Sequence, residues 1–402
     1  EDNEAEAAKL IKQNIVKITN TIDDKTSIVG TGFFINQGYL ITNSHIVDIK
    51  GDIIIEYSDG STSKAYLYSN SVEYDIALLK VVDVRAKALT FGNSNSKEIT
   101  NSVLAAGYIY NFAGEASISK GILSAKNGMN VYRGCTHGCI YCDARSLCYH
   151  TPIPFEDIEA KINAPELLEK ALISKRKKCM IGTGSMCDPY MPIEKDLQLT
   201  RKTLELIEKH NFGVAIQTKS DLILRDIDLL QKINNKTKTV VQITLTTAND
   251  NLCKIIEPNV CPTSRRVEVL RECQKRGIPT VVWICPILPY INDSIENLHT
   301  LLNYCKETDV KGIINFGMGL TLREGNREYF YAQLDKHFPG QKETYIKTYG
   351  NSYEIPSKNS PQLFKLFYDF CRQHKIMSNP DQIFAYMNTF EEKNPIVQLE
   401  LF

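Results

Sequence analysis

Three cysteines lie close together in the middle of the chain, in the stretch RGCTHGCIYC. Cys135, Cys139 and Cys142 follow the spacing C-x3-C-x2-C, and we call residues 135–142 the cysteine loop. Three thiolates from one short loop can hold three irons of a cubane [4Fe–4S] cluster and leave the fourth iron open to bind a small molecule. A zinc site usually combines two cysteines with a second, distant ligand pair, which fits this spacing poorly. The pattern therefore predicts a [4Fe–4S] cluster, with a zinc knuckle or ordinary buried cysteines as the alternatives.

The cysteine loop resembles that of the radical S-adenosylmethionine (SAM) superfamily, because an aromatic residue, Tyr141, precedes its third cysteine. The resemblance implies that the open iron chelates the amino and carboxylate groups of SAM. One electron then splits SAM into methionine and a 5′-deoxyadenosyl radical. The resemblance also implies an electron donor such as flavodoxin or ferredoxin, and a Tyr141 ring packed against the adenine or the cluster.

The sequence after residue 125 alternates short apolar runs with helical patterns. Repeated βα units of this kind predict a parallel sheet, and six strands are counted when MNVY, just before the cysteine loop, is taken as the first. Six fits the α/β partial (β/α)6 barrel, of TIM type, that the resemblance implies. Reactive residues of parallel barrels gather at the C-terminal ends of the strands, where we expect the cysteine loop. We assign residues 126–330 to a radical SAM core and residues 331–402 to a helical C-terminal extension packed on the barrel.

Further motifs resemble the spore-photoproduct-lyase-like branch of the superfamily: IGTGSMCDPYMPIE, QTKS, PILPYIND and FGMGLTLREGNREYFY. The resemblance implies SAM contacts at four strand ends, from a backbone turn, a cation, a hydroxyl and a glycine that lets adenine approach. The residues implied are Gly182, Thr183, Gly184, Ser185, Lys219, Thr244 and Gly317. A tight turn, a solvated lysine and ordinary β-propensity are the corresponding structural alternatives.

Cys187 bears on the substrate, because it falls where photoproduct lyases keep a cysteine that donates a hydrogen atom. The S–H bond is weak, so a thiol is a good donor to a carbon radical. The lyase also keeps a tyrosine directly after the third cluster cysteine, and Asp143 stands there in this chain. The resemblance therefore implies a lyase-like or DNA-repair-like reaction but leaves the substrate unknown. A buried apolar cysteine is the alternative for Cys187.

Basic residues cluster at positions 175–178 and at Arg265 and Arg266. A DNA-binding surface requires a basic stripe interleaved with aromatic residues. Basic clusters on a predicted helix or loop are more typical of a solvated face, and the formal net charge of the chain is +0. A nucleic-acid partner is therefore not favoured.

The first 125 residues contain short β-branched strands separated by glycine or Asp-Gly turns, which predict an antiparallel β-barrel. The motifs GTGFFI, GYLITNSHIV and EYDIALLKV resemble trypsin-like serine proteases of the HtrA/Deg type. The resemblance implies His45 as general base and Asp75 as the carboxylate that orients it. The Gly-x-Ser-Gly-Gly stretch that carries the family's nucleophile is absent from the sequence, and the second barrel is largely missing. We therefore expect residues 1–125 to be a truncated protease domain that does not hydrolyse peptides.

The length of 402 residues is typical of more than one domain, and all twelve cysteines fall at or after Cys135. Many cysteines beside a predicted cluster indicate a reducing compartment, so we expect the cytoplasm. No apolar run reaches the length of a membrane span. A second hypothesis remains open, in which the protease-like part is an interaction module and the iron–sulfur domain is structural or redox-sensing. Active proteolysis would require a serine from another chain.

Overall fold

The computed structural model describes residues 2–23, 26–36, 38–72, 75–92, 102–108, 116–122, 127–149 and 154–393. The chain divides into two compact units, which we call unit 1 (Glu1–Ser124) and unit 2 (Ala125–Phe402). Among the helices in these ranges, none combines the length and the apolar character that crossing a membrane requires.

Unit 1 is built around a closed six-stranded antiparallel barrel in the order β1-β2-β3-β6-β5-β4. Helix α1 (Asp2–Asn14) leads into it. The barrel strands are β1 (Ile15–Asp23), β2 (Thr26–Asn36), β3 (Tyr39–Thr42), β4 (Asp52–Glu56), β5 (Thr62–Ser71) and β6 (Ile76–Val81). A separate antiparallel pair follows, β7 (Ser102–Gly107) with β8 (Ser117–Ile122). The predicted antiparallel barrel is confirmed.

The barrel forms because alternate apolar side chains of its strands point to one interior. Val16, Ile18, Phe34 and Leu40 are fully buried there. Gly32 of the GTGFFI motif lies where a Cβ atom would come 2.5 Å from Leu40 Cδ2 and 2.7 Å from Ile18 Cδ1. The motif therefore needs glycine for close packing of the barrel wall.

Unit 2 contains six parallel strands that lie side by side in the order in which the chain visits them. They are β9 (Gly128–Met129), β12 (Met180–Thr183), β13 (Gly213–Thr218), β14 (Thr239–Thr244), β15 (Thr280–Trp283) and β16 (Gly312–Ile314). The intervening helices are α2 (Ala164–Ser174), α3 (Glu194–Leu197), α4 (Leu199–Lys209), α5 (Ile227–Lys236), α6 (Asp250–Ile256), α7 (Thr263–Lys275) and α8 (Ile295–Glu307). The succession of βα units agrees with the predicted parallel sheet, and the closure of that sheet into a TIM-type barrel stays a prediction.

The stretch MNVY does not form one strand, as the sequence pattern predicted. The sheet strand β9 ends at Met129, and Tyr132 and Arg133 form a separate strand, β10, antiparallel to β11 (Glu159–Ala160). Val131 and Tyr132 are both buried although they are neighbours in sequence, which one strand with a single buried face does not allow. The Tyr132 hydroxyl donates a 2.5 Å hydrogen bond to Glu194 Oε2.

The last part of unit 2 adds two short strands and four helices. They are β17 (Gly319–Thr321), α9 (Asn326–His337), α10 (Gln341–Tyr349), β18 (Glu354–Pro356), α11 (Ser360–His374) and α12 (Pro380–Asn388). Strands β17 and β18 pair with each other. Helix α11 buries Leu363, Phe367 and Cys371 in the same apolar core as the strands of the sheet.

Candidate cofactor site

A cavity of about 690 Å³ opens in unit 2, lined by residues that follow the carboxyl ends of five of the six parallel strands. Its wall combines the cysteine loop after β9 with short segments after β12, β13, β15 and β16. Loops at the carboxyl ends of parallel strands are where such folds bind ligands. The volume lies in the range of small-molecule and cofactor sites.

All three thiols of the cysteine loop line this cavity. Backbone hydrogen bonds hold the loop in place, from Cys135 N to Phe155 O at 2.9 Å and from Cys142 N to Cys139 O at 3.2 Å. Burial raises the pKa of Cys135 to about 11 and also raises the pKa of Cys139 and Cys142. These thiols therefore keep their protons at neutral pH until a bound cation displaces them.

The residues predicted to contact SAM divide into two groups. Tyr141, Gly184, Ser185, Lys219 and Gly317 line the cavity. Gly184 has φ +99°, and a Cβ atom there would collide with the carbonyl oxygen of the neighbouring strand, so the turn requires glycine.

The second group of residues predicted to contact SAM does not line the cavity and lies behind its wall. Gly182 and Thr183 belong to β12 and pair with Ala215 and Ile216 of β13. Thr244 is buried at the end of β14, and its hydroxyl oxygen has no hydrogen-bond partner within the described parts of the chain.

Lys219 follows β13, and neighbouring charged groups determine the pKa of its side chain. Burial acts to lower the pKa of Lys219, but nearby negative charge, including the carboxylates of Glu257 and Asp188, outweighs it, and the pKa is raised. The side chain therefore stays cationic beside the cysteine loop.

Asp188 was missed by the sequence reasoning, although it follows Cys187 directly. Its carboxylate accepts hydrogen bonds from the Thr218 hydroxyl at 2.6 Å, from Lys219 N at 2.8 Å and from Tyr190 N at 2.9 Å. His137 Nδ1, in the cysteine loop, lies 3.4 Å from Asp188 Oδ2. One buried carboxylate thus connects three segments of the cavity wall, a role that its sequence position alone does not indicate.

Cys187 also lines the cavity and is buried. Its thiol donates a hydrogen bond to the Tyr132 carbonyl oxygen at 3.0 Å. Burial raises the pKa of Cys187 to about 12, so the sulfur carries its hydrogen at neutral pH. Asp143, at the position where a lyase would carry tyrosine, also lines the cavity and accepts a hydrogen bond from the Tyr149 hydroxyl at 2.9 Å.

His45 and Asp75 form a well-aligned pair in unit 1. His45 Nδ1 lies 2.8 Å from Asp75 Oδ2, and the His45 backbone N–H donates to Asp75 Oδ1 at 3.0 Å. Asn43 Nδ2 adds a hydrogen bond to Asp75 Oδ2 at 3.1 Å. This is the geometry of a base and its orienting carboxylate, and both side chains are exposed.

Residues 129–302 match the model of the radical SAM superfamily. The model of the trypsin-like peptidase domain matches residues 30–148, so the two matches overlap across the cysteine loop. The chain thus contains one region that matches radical SAM proteins and one that matches trypsin-like peptidases, which we call the radical SAM domain and the peptidase domain. Members of the radical SAM superfamily generally use SAM and an iron–sulfur cluster.

Two relatives that match the radical SAM domain are described only as uncharacterized proteins. A protein of Methanocaldococcus jannaschii is 37% identical over 174 residues, which cover 43% of this chain and 64% of the relative. A protein of Mycobacterium tuberculosis is 26% identical over 236 residues, or 57% of this chain and 68% of the relative. The chain thus spans about two thirds of these relatives.

The peptidase domain is similar to HtrA-like proteins. A probable periplasmic serine endoprotease, DegP-like, of Pseudomonas savastanoi is 33% identical over 140 residues, which cover 35% of this chain and 25% of that protein. The solved HtrA-type protease AlgW with tripeptide aligns at 26% identity with a TM-score of 0.27, covering 29% of this chain and 38% of AlgW.

The donor set of the radical SAM domain is three cysteine thiols from one short loop, which is compatible with an iron–sulfur cluster. Among the described residues, no group of three His, Cys, Asp or Glu side chains is arranged to hold one metal ion. A cubane cluster makes no such demand, because each thiolate binds a different iron. Cys135, Cys139 and Cys142 would hold the cluster, and the Lys219 cation would face the SAM carboxylate.

An aromatic wall on the radical SAM domain was also missed by the sequence reasoning. Trp283, the single tryptophan of the chain, lines the cavity with Phe316 and Phe364. Phe384 packs behind Trp283 and Phe316, with ring centroids 6.0 and 6.1 Å away. Trp283 Nε1 donates to Gln242 Oε1 at 2.9 Å, which satisfies the polar edge of the indole ring. These aromatic residues come from segments far apart in sequence, and no local spacing predicts that they lie together.

Arg266, which the sequence placed on a solvated surface, is wholly buried in the radical SAM domain. It forms a 2.7 Å ion pair with Glu257, which is also fully buried. Arg265 is exposed and pairs with Asp221 and Glu268. The prediction of a basic pair on the surface is therefore wrong for Arg266, because its guanidinium is satisfied inside the fold.

Proposed function

We propose that unit 2 is a radical SAM enzyme that reductively cleaves SAM at a [4Fe–4S] cluster held by Cys135, Cys139 and Cys142. The observation that carries the proposal is the convergence of these three thiols and the Lys219 ammonium group on one cavity at the strand ends. When bound, the cluster would supply the electron that yields a 5′-deoxyadenosyl radical from SAM, after reduction by a flavodoxin or ferredoxin. Such a cluster requires a reducing compartment, so we place the protein in the cytoplasm.

The residues around the thiols would bind and orient SAM. The sharp turn at Gly184 and Ser185 exposes backbone groups to the cavity for the amino group of SAM. Lys219 would attract the carboxylate by charge. The Thr244 hydroxyl also lacks a partner among the described residues, but it lies behind the cavity wall and does not support a contact to SAM.

Cys187 would act on the substrate as a hydrogen-atom donor. Its buried thiol keeps its hydrogen and lies in the cavity wall near Cys135. In the donor step a C–H bond forms on the substrate as the S–H bond breaks, and the unpaired electron passes to sulfur. This role, with the motifs after β12 and β16, supports a spore-photoproduct-lyase-like reaction on a substrate that is not yet known.

The charge of the cavity argues against a polyanionic substrate. Among the described lining residues, the acidic side chains of Asp143, Asp188 and Glu354 outnumber the one lysine, Lys219. Because Arg266 is buried, the basic surface that nucleic acid requires is weaker than the sequence indicated. A DNA lesion is therefore not the favoured substrate.

The experiment is anaerobic reconstitution with iron and sulfide, followed by a reducing agent, SAM and an assay for 5′-deoxyadenosine. The wild-type chain should bind the cluster and release 5′-deoxyadenosine. The triple variant Cys135→Ala, Cys139→Ala, Cys142→Ala should lose both properties, because no protein ligand remains for the irons. Cys305→Ala, at a buried cysteine outside the cavity, is the matched control and should retain them.

The alternative function predicts another outcome in the same assay. If the iron–sulfur domain is structural or redox-sensing and the protease-derived part binds partners, the wild-type chain takes up iron but leaves SAM intact. SAM cleavage by the triple variant would contradict the assignment of the ligands.

A further inference from the structure

A buried ion pair lies directly behind the cysteine loop. Arg266 and Glu257 are both 0% exposed, and their side chains approach to 2.7 Å. The Tyr141 hydroxyl donates a hydrogen bond to Glu257 Oε1. The carboxylate of Glu257 therefore connects α7, which carries Arg266, with the residue that precedes the third cysteine of the loop.

The backbone on either side of Glu257 also binds the cysteine loop, and we call residues 256–259 the anchor segment. Ile140 N donates to Ile256 O at 3.0 Å, and Asn259 N donates to His137 O at 3.1 Å. Asn259 Nδ2 donates to Thr136 O at 2.8 Å. The cysteine loop therefore forms four hydrogen bonds, two as donor and two as acceptor, with one segment that lies more than a hundred residues later in the chain.

Arg266 is fixed independently of the cysteine loop. Its Nε donates to Cys261 O and one terminal nitrogen donates to Thr244 O, each at 3.0 Å. The other terminal nitrogen binds Glu257 and lies 3.4 Å from Cys253 Sγ. Arg266, which is held at the end of β14 and lies on α7, thus fixes the position of Glu257. The Glu257 carboxylate in turn fixes the Tyr141 hydroxyl.

We propose that Glu257 is a positioning residue for the iron–sulfur cluster, which holds the Tyr141 ring and the neighbouring thiols of Cys139 and Cys142 in register. The inference rests on the proposed function, in which these cysteines are the ligands. Groups outside the ligand set that orient the ligands commonly change metal affinity by 10–100-fold when removed. A merely structural ion pair would instead stabilise unit 2 without affecting the cluster.

Two conservative variants remove the contact from opposite sides. Tyr141→Phe removes the hydroxyl and leaves the Arg266–Glu257 ion pair intact, and Glu257→Gln removes the charge. Tyr345→Phe is the matched control for the first, because the buried Tyr345 hydroxyl, in the same apolar cluster, donates to Pro289 O at 2.7 Å and not to the anchor segment. Asp226→Asn is the control for the second, because Asp226 is fully buried and paired with Arg201 and Arg225.

Three measurements are made on the full chain. They are the rate at which a chelator removes iron from the reconstituted protein, amide hydrogen exchange of residues 136–142 in the cluster-free protein, and the unfolding midpoint reported by Trp283 fluorescence. We expect iron loss and exchange to be about tenfold faster in each test variant, since each loses a hydrogen bond to a buried charge. In iron loss and exchange, the double variant should be little worse than Glu257→Gln alone, because that variant already weakens the Tyr141 contact in addition to the ion pair with Arg266. Both controls should lower the midpoint and leave iron loss and exchange unchanged.

Several outcomes would overturn the proposal. If Tyr141→Phe lowers the midpoint but leaves iron loss and exchange at wild-type values, the ion pair is structural only. If Glu257→Gln does not fold, Tyr141→Phe still decides, because it keeps the ion pair. If the wild-type chain takes up no cluster, the proposed function fails, whereas a stable wild-type cluster with unchanged variants defeats the positioning role alone.

Discussion

Each unit contains a histidine–aspartate pair. The pair with the shorter distance is the more exposed one, and the pair with the longer distance is buried. In unit 1, His45 and Asp75 approach to 2.8 Å, with side chains 62% and 46% exposed. In unit 2, His137 and Asp188 lie 3.4 Å apart, with side chains 3% and 8% exposed. The shorter pair matches a catalytic pattern, and the longer pair matches none.

Burial decides which pair the fold depends on. An exposed ion pair contributes little, because water solvates both groups equally well when they separate. A buried carboxylate must instead be satisfied by protein groups, and Asp188 accepts from Thr218, Lys219 and Tyr190 as well as lying beside His137. A local sequence motif can therefore identify a histidine–aspartate pair. The contribution of that pair to the stability of the fold depends on its burial and on how many elements it connects.

The largest expected effect separates the two aspartates directly. Asp188→Ala leaves several buried donors unsatisfied and should lower the free energy of unfolding of unit 2 by about 3 kcal/mol. The measurement is urea unfolding followed by the fluorescence of Trp283, which lies in unit 2. The matched variant Asp75→Ala should change the stability of unit 1 by no more than about 0.5 kcal/mol, measured by calorimetry. Equal effects would remove the distinction between the pairs.

A second test concerns Lys219, whose backbone N–H donates a hydrogen bond to the Asp188 carboxylate. Lys219→Met should weaken SAM binding by about 10–100-fold, since it would remove the proposed charge-assisted contact to the SAM carboxylate. SAM titration can be followed through Trp283 fluorescence, because the indole lines the same cavity. Lys365→Met, on the exposed side of α11, is the control. Wild-type affinity in Lys219→Met would exclude the lysine from the site.

A third test distinguishes chemistry from packing at Cys187, the neighbour of Asp188. If the thiol donates a hydrogen atom, Cys187→Ala should still cleave SAM but give altered or trapped products once a substrate is known. If the thiol only fills the core, the variant should lose about 1 kcal/mol of stability and form the same products. Product analysis by mass spectrometry decides between these roles.

The smallest effects are expected in unit 1. The wild-type chain should neither label with a fluorophosphonate nor cleave casein, because the sequence lacks the Gly-x-Ser-Gly-Gly stretch that would supply a nucleophile for His45. His45→Ala should therefore change neither result. Labelling of a serine that disappears in His45→Ala would show that the pair is active.

The pH dependence of Asp75 follows from the sign of its shift. The hydrogen bond from the His45 backbone N–H lowers the pKa of Asp75 below its ordinary value of 3.8. A depressed pKa stabilises the folded state above the ordinary value, and the contribution is lost as the pH falls through the folded pKa. The small stability difference between the wild-type chain and Asp75→Asn should therefore disappear in the range below about pH 3.8, as calorimetry would show.

Local patterns in the sequence predicted the parts of the molecule that local physics determines. Short β-branched runs with turn signals indicated the antiparallel barrel of unit 1, and alternating apolar runs and helical patterns indicated the succession of parallel strands in unit 2. The ligand role that the spacing of Cys135, Cys139 and Cys142 indicated stays a prediction. The prediction of a single strand at MNVY was wrong, because Tyr132 turns inward to reach Glu194.

The unpredicted features depend on contacts between distant segments. Glu257 lies 116 positions from Tyr141 in sequence, so no spacing rule relates them. Arg266 looked like a surface residue because a guanidinium is costly to bury, and only the fold supplies the acceptors that satisfy it. Trp283 and Phe364 likewise line the same cavity only after the sheet has formed.

The pairing of β17 with β18 has a consequence for how the protein is made. Ile355, Pro356, Ser360 and Phe364 complete the cavity wall, and the ribosome adds them more than two hundred residues after the cysteine loop. During synthesis the thiols therefore emerge into a cleft that still lacks its outer side. A cluster delivered to the proposed ligands before this strand is made would therefore meet a more open cleft than one delivered to the finished fold.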